Sequence, residues 1–346
     1  MTAGNTATGE IVGGHRPPLQ GAFSIFFVQS PCNGNRKMAA SQTSIWAAAA
    51  RAVGAREPDP RVRNPDWLAE RFIGPEERAV LGDHPLIAAL DAPFDEVQTN
   101  MEVLGPARLL ISRTRFIDDR FEAALRDGTR QFIIMGAGFD TRAYRFAQRL
   151  ADAHVIEVDQ PHTQRLKVDR VRQVIGDLPP HVTYVPVDFT KASLGDGLAA
   201  AGYDPASRTF FIWEGVTMYL PADSVRDTLR WIATNASAGS SIVFDYTYDS
   251  AIQMIKTLDL EKLPDAARRA LLRLSKLTAK EPWIFGLPDQ KEEEFLSPLG
   301  FQARHIMGMN SREAVEKYLT RSDGTIFGGM PATDRQGYLI LEAVLR

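Results

Sequence analysis

The chain has little of what builds a disulfide scaffold or a nucleic-acid-binding surface. Its 346 residues include one cysteine, Cys32, which excludes an internal disulfide framework and a cysteine-only metal site. Forty basic and 43 acidic residues give a formal net charge of −3, without the basic excess that binding to DNA or RNA usually requires. These features favour a globular protein of a reducing compartment, with a partner other than nucleic acid.

Long apolar runs are also missing. No apolar stretch approaches the roughly 18 residues that predict a transmembrane helix. The segment 22–28, AFSIFFV, is too short for a signal peptide and lacks the basic start that such peptides carry. We therefore predict a cytoplasmic protein that does not contact a membrane.

Common catalytic and metal-binding motifs are absent too. The sequence contains no Gly-x-Ser-x-Gly nucleophile turn and no Gly-Lys-Ser/Thr phosphate loop. The spacing of its histidines, carboxylates and single cysteine matches no metal motif, so we predict no metal site.

The most informative stretch that is present covers residues 131–146, QFIIMGAGFDTRAYRF. The apolar run 132–135 shows no alternation, which is typical of a strand buried on both faces of a parallel sheet. Gly136, Ala137 and Gly138 follow at its end, where glycines allow a sharp turn and the close approach of a ligand. By itself this motif is also compatible with a tight turn that binds nothing.

A second buried strand is predicted at 153–158, AHVIEV, and it is followed by Asp159. Asp159 lies 21 residues after Gly138, near the spacing of roughly 20 at which a βαβ unit presents a carboxylate to a ribose diol. Glu157 faces the same side of the sheet and is a competing candidate, while Asp159 could instead cap a helix that begins at Pro161. Arg142 or its neighbours replace the third glycine of the dinucleotide fingerprint. This favours a nucleoside cofactor without phosphates, such as S-adenosylmethionine, over NAD.

Predicted strands and helices alternate after residue 130, which indicates an α/β fold with a parallel, doubly wound sheet. Strands are predicted at 131–135, 154–158, 182–186, 208–213, 240–245, 301–308 and 336–344. Helices are predicted from Ser41 and at 66–72, 96–126, 141–151, 162–175, 190–201 and 222–236. We expect residues 1–37 to be a disordered extension or a short packed arm, 38–128 a helical cover, and 129–346 the catalytic domain with a helical lid at about 250–300.

Four segments in this order carry a family resemblance: GAGFDTRAYR (136–145), EVDQP (157–161), PVDF (186–189) and WEGVTMYL (213–220). From roughly Thr43 to the C-terminus, the chain resembles the leucine carboxyl methyltransferase superfamily. Within it, the chain resembles the branch of S-adenosylmethionine-dependent O-methyltransferases linked to polyketides and other secondary metabolites. The resemblance implies a class I methyltransferase fold, Rossmann-like, with seven strands and an antiparallel last pair. It also implies S-adenosyl-L-methionine as the cofactor.

The resemblance implies contacts between individual residues and the cofactor. Asp159 would bind the ribose, and Asp188 the adenine amino group with Phe189 stacking nearby, although Asp188 could also cap a helix. The residues implied to bind the cofactor are Arg113, Gly136, Ala137, Gly138, Asp159, Asp188, Phe189 and Glu214.

At the methionine end, the resemblance implies an arginine for the carboxylate and Glu214 for the sulfonium or amino group. Arg113 is the first choice for this arginine and Arg115 the second, because the guanidinium fork matches a carboxylate bidentately. Both could instead belong to a solvated helix face. Glu214 follows a predicted buried strand, where a carboxylate has few structural reasons to be present.

The sequence predicts the methyl-acceptor side of the site in less detail than the cofactor side. Tyr219 is the candidate catalytic residue, and the possible aromatic walls of an acceptor pocket are Tyr144, Trp213, Tyr219 and Tyr246. The predicted function is methylation of a carboxylate or hydroxyl oxygen of a small metabolite. The alternatives are a protein C-terminal carboxyl methyltransferase, a nicotinamide-dependent oxidoreductase and a binding module without turnover.

Overall fold

The computed structural model describes residues 41–187, 194–259, 281–333 and 337–346, together with positions 261, 268, 269, 272, 273, 275 and 279. The predicted extension at 1–37 lies outside the described residues, as do Asp188, Phe189 and much of the predicted lid. Within the described part of the chain, no helix is both long and apolar enough to cross a membrane.

A seven-stranded mixed sheet organises the described residues, in the spatial order β3-β2-β1-β4-β5-β7-β6. The first five strands run parallel, whereas β7 is antiparallel to both β5 and β6. The strands are β1 Gln131–Met135, β2 His154–Asp159, β3 Val182–Pro186, β4 Thr209–Trp213, β5 Ser241–Thr247, β6 Phe301–Gly308 and β7 Tyr338–Leu345. The predicted α/β fold with an antiparallel last pair is thereby confirmed. The strand order reverses between β1 and β4, and open α/β sheets bind ligands at such a point.

Helices cover both faces of this sheet. Those before β1 are α1 Gln42–Ala55, α2 Pro75–Leu81, α3 Pro85–Asp91, α4 Phe94–Val97 and α5 Met101–Arg126. Those after it are α6 Arg142–Arg145, α7 Pro161–Ile175, α8 Leu194–Ala200, α9 Ala222–Asn235, α10 Asp249–Thr257, α11 Glu292–Leu296 and α12 Arg312–Ala314.

Two apolar cores, one on each face of the sheet, explain the unbroken apolar run in β1. Phe132 and Ile134 belong to the core that contains α1, α3 and α5. Ile133 and Met135 belong to the opposite core, with α8 and α9. Because consecutive side chains of a strand point to opposite faces, both sets must be apolar, as the sequence indicates.

Several predicted helix boundaries are wrong. The helix predicted at 96–126 is interrupted, because the Asn100 side chain accepts a hydrogen bond from the Glu102 amide at 3.0 Å and starts α5 anew. The helix predicted at 141–151 is reduced to the single turn α6 and a 3-10 turn at Ala147–Arg149. Only a 3-10 turn, Glu70–Phe72, forms within 66–72. Helices α2 and α3 were not predicted, although each begins at a proline in the first-turn position that proline favours.

Gly136 is the glycine of the β1 turn with the strictest steric requirement. Its φ is +68°, and an added Cβ would lie 2.6 Å from Val216 Cγ2. We predict that Gly136→Ala lowers the free energy of unfolding by roughly 3 kcal/mol, combining left-handed strain with a clash in a packed site. Urea unfolding measures this change.

Gly202→Ala is the matched control, because Gly202 has a φ of +80° but nothing nearer to an added Cβ than His154 Cε1 at 3.8 Å. It should cost only the backbone strain, about 1–2 kcal/mol. Val216→Ala in the Gly136→Ala background should recover stability relative to the sum of the single changes. Equal costs at Gly136 and Gly202 would contradict the steric argument.

Candidate cofactor and active site

The glycine turn after β1 is held against the end of β2 by backbone hydrogen bonds. The amides of Gly136 and Ala137 donate to the carbonyl oxygen of Val158 at 2.9 and 3.1 Å. The amide of Gly138 donates to Asp159 Oδ2 at 2.7 Å. The turn and the predicted ribose-binding carboxylate therefore form one unit at the carboxyl edge of the sheet, the edge where the parallel strands end.

Asp159 is buried at this edge, with 7% of its surface exposed. Its other oxygen, Oδ1, accepts the amide of Gln160 at 2.7 Å. Gln160, and not Asp159, is the N-cap residue of α7, so the Asp159 side chain orders the glycine turn instead of capping that helix. Burial raises the pKa of Asp159, although the two amide donors oppose the shift.

Glu157, the rival carboxylate on β2, has structural partners below the turn. Its carboxylate lies 3.0 Å from Lys167 Nζ and accepts the Tyr144 hydroxyl at 3.0 Å. Lys167 Nζ also donates to the Ala137 carbonyl at 3.1 Å, which links this buried pair to the glycine turn. Burial raises the pKa of Glu157 to about 7, with Lys167 opposing the shift. These contacts favour Asp159 over Glu157 as the ligand-facing carboxylate.

Arg142, immediately after the glycine motif, joins three carboxylates. Its guanidinium contacts Asp118 at 2.7 Å, Asp140 at 2.5 Å and Glu214 at 2.6 Å. Thr141 stands where a dinucleotide-binding fold has its third glycine, and the next residue, Arg142, is a buried cation that fixes the surrounding acids. No signal in the sequence predicted this role for Arg142.

Arg113 approaches Glu214 from the other side. Its Nε lies 2.7 Å from Glu214 Oε1, while its Nη1 donates to Asp245 Oδ2 at 3.0 Å and lies 2.9 Å from the Tyr338 hydroxyl. Arg113 is therefore interior, and a solvated helix face is the wrong interpretation of this position. Arg115, the second candidate, instead donates to the carbonyl of Arg63 at 2.9 Å, away from this cluster.

Glu214 is the carboxylate that the cluster holds ionised most strongly. Burial by itself would raise its pKa, but Arg142 and Arg113 hold the pKa well below the usual range. Oε2 accepts a hydrogen bond from Arg142. Oε1 is buried and lies in an ion pair with Arg113, yet it has no hydrogen-bond donor with suitable geometry. The ion pair with Arg113 is therefore the contact that stabilises this oxygen.

Asp245, near the carboxyl end of β5, contacts both Arg113 and the backbone that follows Glu214. Its Oδ1 accepts the amide of Gly215 at 2.7 Å, and Oδ2 is shared by Arg113 and the Tyr338 hydroxyl. Burial raises the pKa of Asp245 despite the nearby guanidinium. A carboxylate at the end of a parallel strand was the available signal for this residue.

Helix α1 is fixed over the glycine turn by a second set of polar contacts. Arg51 forms an ion pair with Asp66 at 2.8 Å and donates to the carbonyl of Phe139 at 2.8 Å. Asp66 also accepts the hydroxyl of Thr141 at 2.5 Å. The turn after β1 is thereby shielded by residues that precede α5 in the chain.

Aromatic side chains line the part of the carboxyl edge next to Arg113. The Tyr219 hydroxyl faces Trp283 and Thr43, and burial raises its pKa, so Tyr219 is a protonated donor at neutral pH. The ring of Trp283 lies 5.7 Å from that of Tyr338. The amide of Ile284 donates to the carbonyl of Met218 at 2.8 Å, which holds this segment across the end of β4.

The other predicted pocket walls are not at this site. Trp213 and Tyr246 are buried in the apolar core on the α9 face. The Tyr246 hydroxyl donates to Glu292 at 2.6 Å, and Tyr144 contacts Glu157 below the turn. Among the described residues, no group of three or more His, Cys, Asp or Glu side chains has an arrangement that could hold a metal ion.

The sequence model of the leucine carboxyl methyltransferase family matches residues 44–233, which include the glycine turn, Asp159 and Glu214. The chain belongs to this family. The match confirms the predicted family, and relatives of this chain are described as S-adenosyl-L-methionine-dependent methyltransferases.

Individual relatives and solved structures are more distant. A Frankia alni protein named as a candidate S-adenosyl-L-methionine-dependent methyltransferase is 33% identical over 198 residues, covering 57% of this chain and 65% of the relative. The matched region thus spans just under two thirds of that protein. A Bacillus subtilis protein of the same description is 29% identical, covering 61% of this chain and 72% of the relative. A crystal structure named as a candidate methyltransferase of Thermobifida fusca is 13% identical, with a TM-score of 0.49 and coverage of 80% of this chain and 92% of that one.

The raised pKa of Glu157, which is paired with Lys167, predicts how the stability of the protein changes with pH. The folded pKa of Glu157, about 7, lies above the ordinary value of 4.5, so its stabilising contribution is complete below pH 4.5 and is lost as the pH rises through 7. The free energy of unfolding of the native chain, relative to Glu157→Gln, should fall by roughly 2 kcal/mol between pH 5 and pH 8. Urea unfolding across this range tests it, and a difference that stays constant or grows with pH would contradict the assignment.

Proposed function

We propose that this protein transfers the methyl group of S-adenosylmethionine to an oxygen of a small acid or phenol, within the methyltransferase class that its family defines. The observation that carries the proposal is the pair of carboxylates on either side of the glycine turn. Asp159 follows β2 on one side, and Glu214 follows β4 on the other, with Arg113 beside it. A ligand that lies across this edge meets an acceptor of hydroxyl hydrogen bonds at one end and a carboxylate–guanidinium pair at the other.

The groups of the cofactor match these residues. Asp159, buried and acceptor-only when ionised, suits a ribose diol. The Glu214 carboxylate suits the ammonium group of the methionine part, and the Arg113 guanidinium suits its carboxylate. Gly136, with no side chain, lets the backbone pass close to the ligand.

Methyl transfer from a sulfonium needs little acid–base catalysis by the protein. S-adenosylmethionine supplies a methyl group on a sulfonium, which an oxygen nucleophile displaces in line. The chain's residues would align the acceptor and exclude water, and the protonated Tyr219 would donate a hydrogen bond to orient the acceptor. Glu214, held ionised by two arginines, is a weak base. An acceptor that is already an anion at neutral pH therefore suits this site best.

Titration calorimetry with S-adenosylhomocysteine tests the cofactor site. Asp159→Ala should weaken binding by about 10-fold or more, the scale of one charged hydrogen bond, about 1.4 kcal/mol. Asp152→Ala, which removes an exposed carboxylate just before β2, is the matched control and should leave the affinity unchanged.

A second ligand separates the two ends of the site. Methylthioadenosine keeps the ribose and lacks the amino-acid group, so Asp159→Ala should weaken both ligands, whereas Glu214→Gln should weaken S-adenosylhomocysteine alone. Failure of the unmodified protein to bind S-adenosylmethionine or S-adenosylhomocysteine would overturn the proposed function.

Tyr219 is tested by its effect on the acceptor. Removing the donor hydroxyl in Tyr219→Phe should lower kcat/KM for an acceptor found in a screen of acids and phenols by roughly 10-fold, without changing the affinity for S-adenosylhomocysteine. Tyr203→Phe is the matched control, because the half-buried Tyr203 hydroxyl donates to the carbonyl of Asn235 at 2.8 Å on the α9 side. An unchanged kcat/KM in Tyr219→Phe would exclude a role for this hydroxyl.

A further inference from the structure

Lys167 of α7 is a buried lysine that lies beneath the glycine turn. Its side chain is 2% exposed, and its ammonium group lies 3.0 Å from Glu157 Oε1. The same nitrogen donates to the carbonyl oxygen of Ala137 at 3.1 Å and lies 5.6 Å from the centre of the Tyr144 ring. A buried charge is stable only when it is paired and hydrogen-bonded, so these contacts give the ammonium group one defined position.

The carbonyl that Lys167 binds belongs to the same peptide group as the amide that Asp159 binds. The bond between Ala137 and Gly138 is trans, so its C=O and N–H lie in one plane and point in opposite directions. Lys167 Nζ holds the carbonyl oxygen, and Asp159 Oδ2 accepts the amide at 2.7 Å. This single peptide group of the glycine turn is therefore held between a cation and a carboxylate.

The order of these charges matches the dipole of the peptide group. The carbonyl oxygen, the negative end, faces the ammonium group of Lys167, and the amide hydrogen, the positive end, faces Asp159. In the reverse orientation, a carbonyl oxygen would face a carboxylate and an N–H would face a cation. Because electrostatic interactions are strong in a poorly hydrated interior, the two side chains select one orientation of the peptide group.

The turn needs this selection because the residues around the peptide group allow other conformations. Gly136 and Gly138 have φ values of +68° and +37°, and glycine adopts positive and negative φ about equally readily. The Ala137 carbonyl also accepts the amide of Asp140 at 2.8 Å. A hydrogen bond from a cation is roughly twice as strong as one from a neutral amide, so Lys167 provides the stronger of the two restraints.

The orientation of this peptide group determines what Asp159 can offer to a ligand. Each of its oxygens accepts one backbone amide, that of Gly138 at Oδ2 and that of Gln160 at Oδ1. Rotation of the peptide group would replace the Gly138 donor with the Ala137 carbonyl oxygen. That oxygen would repel the carboxylate and compete with it for the hydroxyl groups of a ligand.

We propose that Lys167 is a positioning residue of the cofactor site, which holds the peptide group between Ala137 and Gly138 in the orientation that lets Asp159 bind the ribose. This rests on the proposed function. Lys167 acts through that peptide group and does not touch the ribose itself. Glu157 provides the opposite charge that allows the ammonium group to remain buried.

The charge of Lys167 also acts on Asp159. Burial raises the pKa of Asp159, while Lys167, the amides of Gly138 and Gln160 and the side chain of Thr163 oppose the shift. Ribose binding by the ionised carboxylate is lost as the pH falls through this pKa, and removal of the ammonium group should move that loss to a higher pH. The titratable groups that face Lys167 or its partner Glu157 are Tyr144, Tyr184 and Asp140.

Titration calorimetry with S-adenosylhomocysteine at pH 8 tests the positioning role. Lys167→Met should weaken binding by about 10-fold or more, the effect of one charged hydrogen bond. The double variant Glu157→Gln/Lys167→Met should weaken it as much, whereas Glu157→Gln alone keeps the lysine and should stay within about threefold. Lys317→Met is the matched control and should leave the affinity unchanged, because Lys317 also pairs with a carboxylate, Asp119, and lies over a tyrosine ring, but at the surface.

Stability separates a positioning role from a purely structural one. Lys167→Met leaves Glu157 buried without its cation, and the double variant removes that unpaired group. By urea unfolding, the double variant should therefore be more stable than Lys167→Met, while its affinity for S-adenosylhomocysteine stays low. On acidification, the double variant should lose this affinity at a higher pH than the native protein.

The outcomes distinguish this inference from the proposed function. Failure of the unmodified protein to bind S-adenosylhomocysteine would refute the proposed function itself. Normal binding by the unmodified protein, with an affinity that recovers together with stability in the double variant, would overturn only the positioning role of Lys167. Loss of affinity at the same pH in both proteins would overturn the effect of its charge on Asp159. If Lys167→Met does not fold, the double variant decides, because it carries no unpaired buried charge at these two positions.

Discussion

The clamp of Glu214 between Arg113 and Arg142 is the interaction on which the rest of the site depends. It joins the end of β4 to α5 on one side and to the turn after β1 on the other. Loss of one partner would leave an uncompensated charge in the interior, which is far more costly than replacing the whole group with apolar residues. The clamp therefore fixes the position of the glycine turn and holds a carboxylate ionised where burial alone would favour its protonated form.

Further ion pairs extend this constraint to α5 and α6. Arg142 also holds Asp118 of α5, and Arg145 contacts the same carboxylate at 2.8 Å, so α5 and α6 are fixed to each other beside the turn. On the other side of the turn, Asp159 orders Gly138 through a single amide. The two carboxylates proposed to contact the cofactor thus also build the turn that lies between them. Cofactor recognition and local folding are inseparable here, because a substitution at either residue acts on both.

Much of this arrangement is predictable from the sequence, for specific reasons. The unbroken apolar run of β1 requires two covered faces, and both faces have a core. Asp159 and Glu214 are recognisable because a charged residue directly after a buried strand falls at the carboxyl edge. The partners of Arg113 are not predictable in this way. Asp245 and Tyr338 lie 132 and 225 residues further along the chain, and only the sheet order brings them to α5. Trp213 and Tyr246 were predicted to line the acceptor pocket but lie in the core, because an aromatic residue near a motif can equally face the core.

The charges of the cluster also bear on how it holds a ligand. Asp118, Asp140 and Glu214 are balanced by three arginines, Arg113, Arg142 and Arg145. Asp245 is the additional carboxylate, and burial raises its pKa. A bound cation next to Glu214 would favour the ionised form of Asp245, since the interaction of charges is strong in a poorly hydrated interior. The ammonium group proposed for this position is present in both S-adenosylmethionine and S-adenosylhomocysteine. The cluster would therefore hold the amino-acid end of the cofactor before and after methyl transfer.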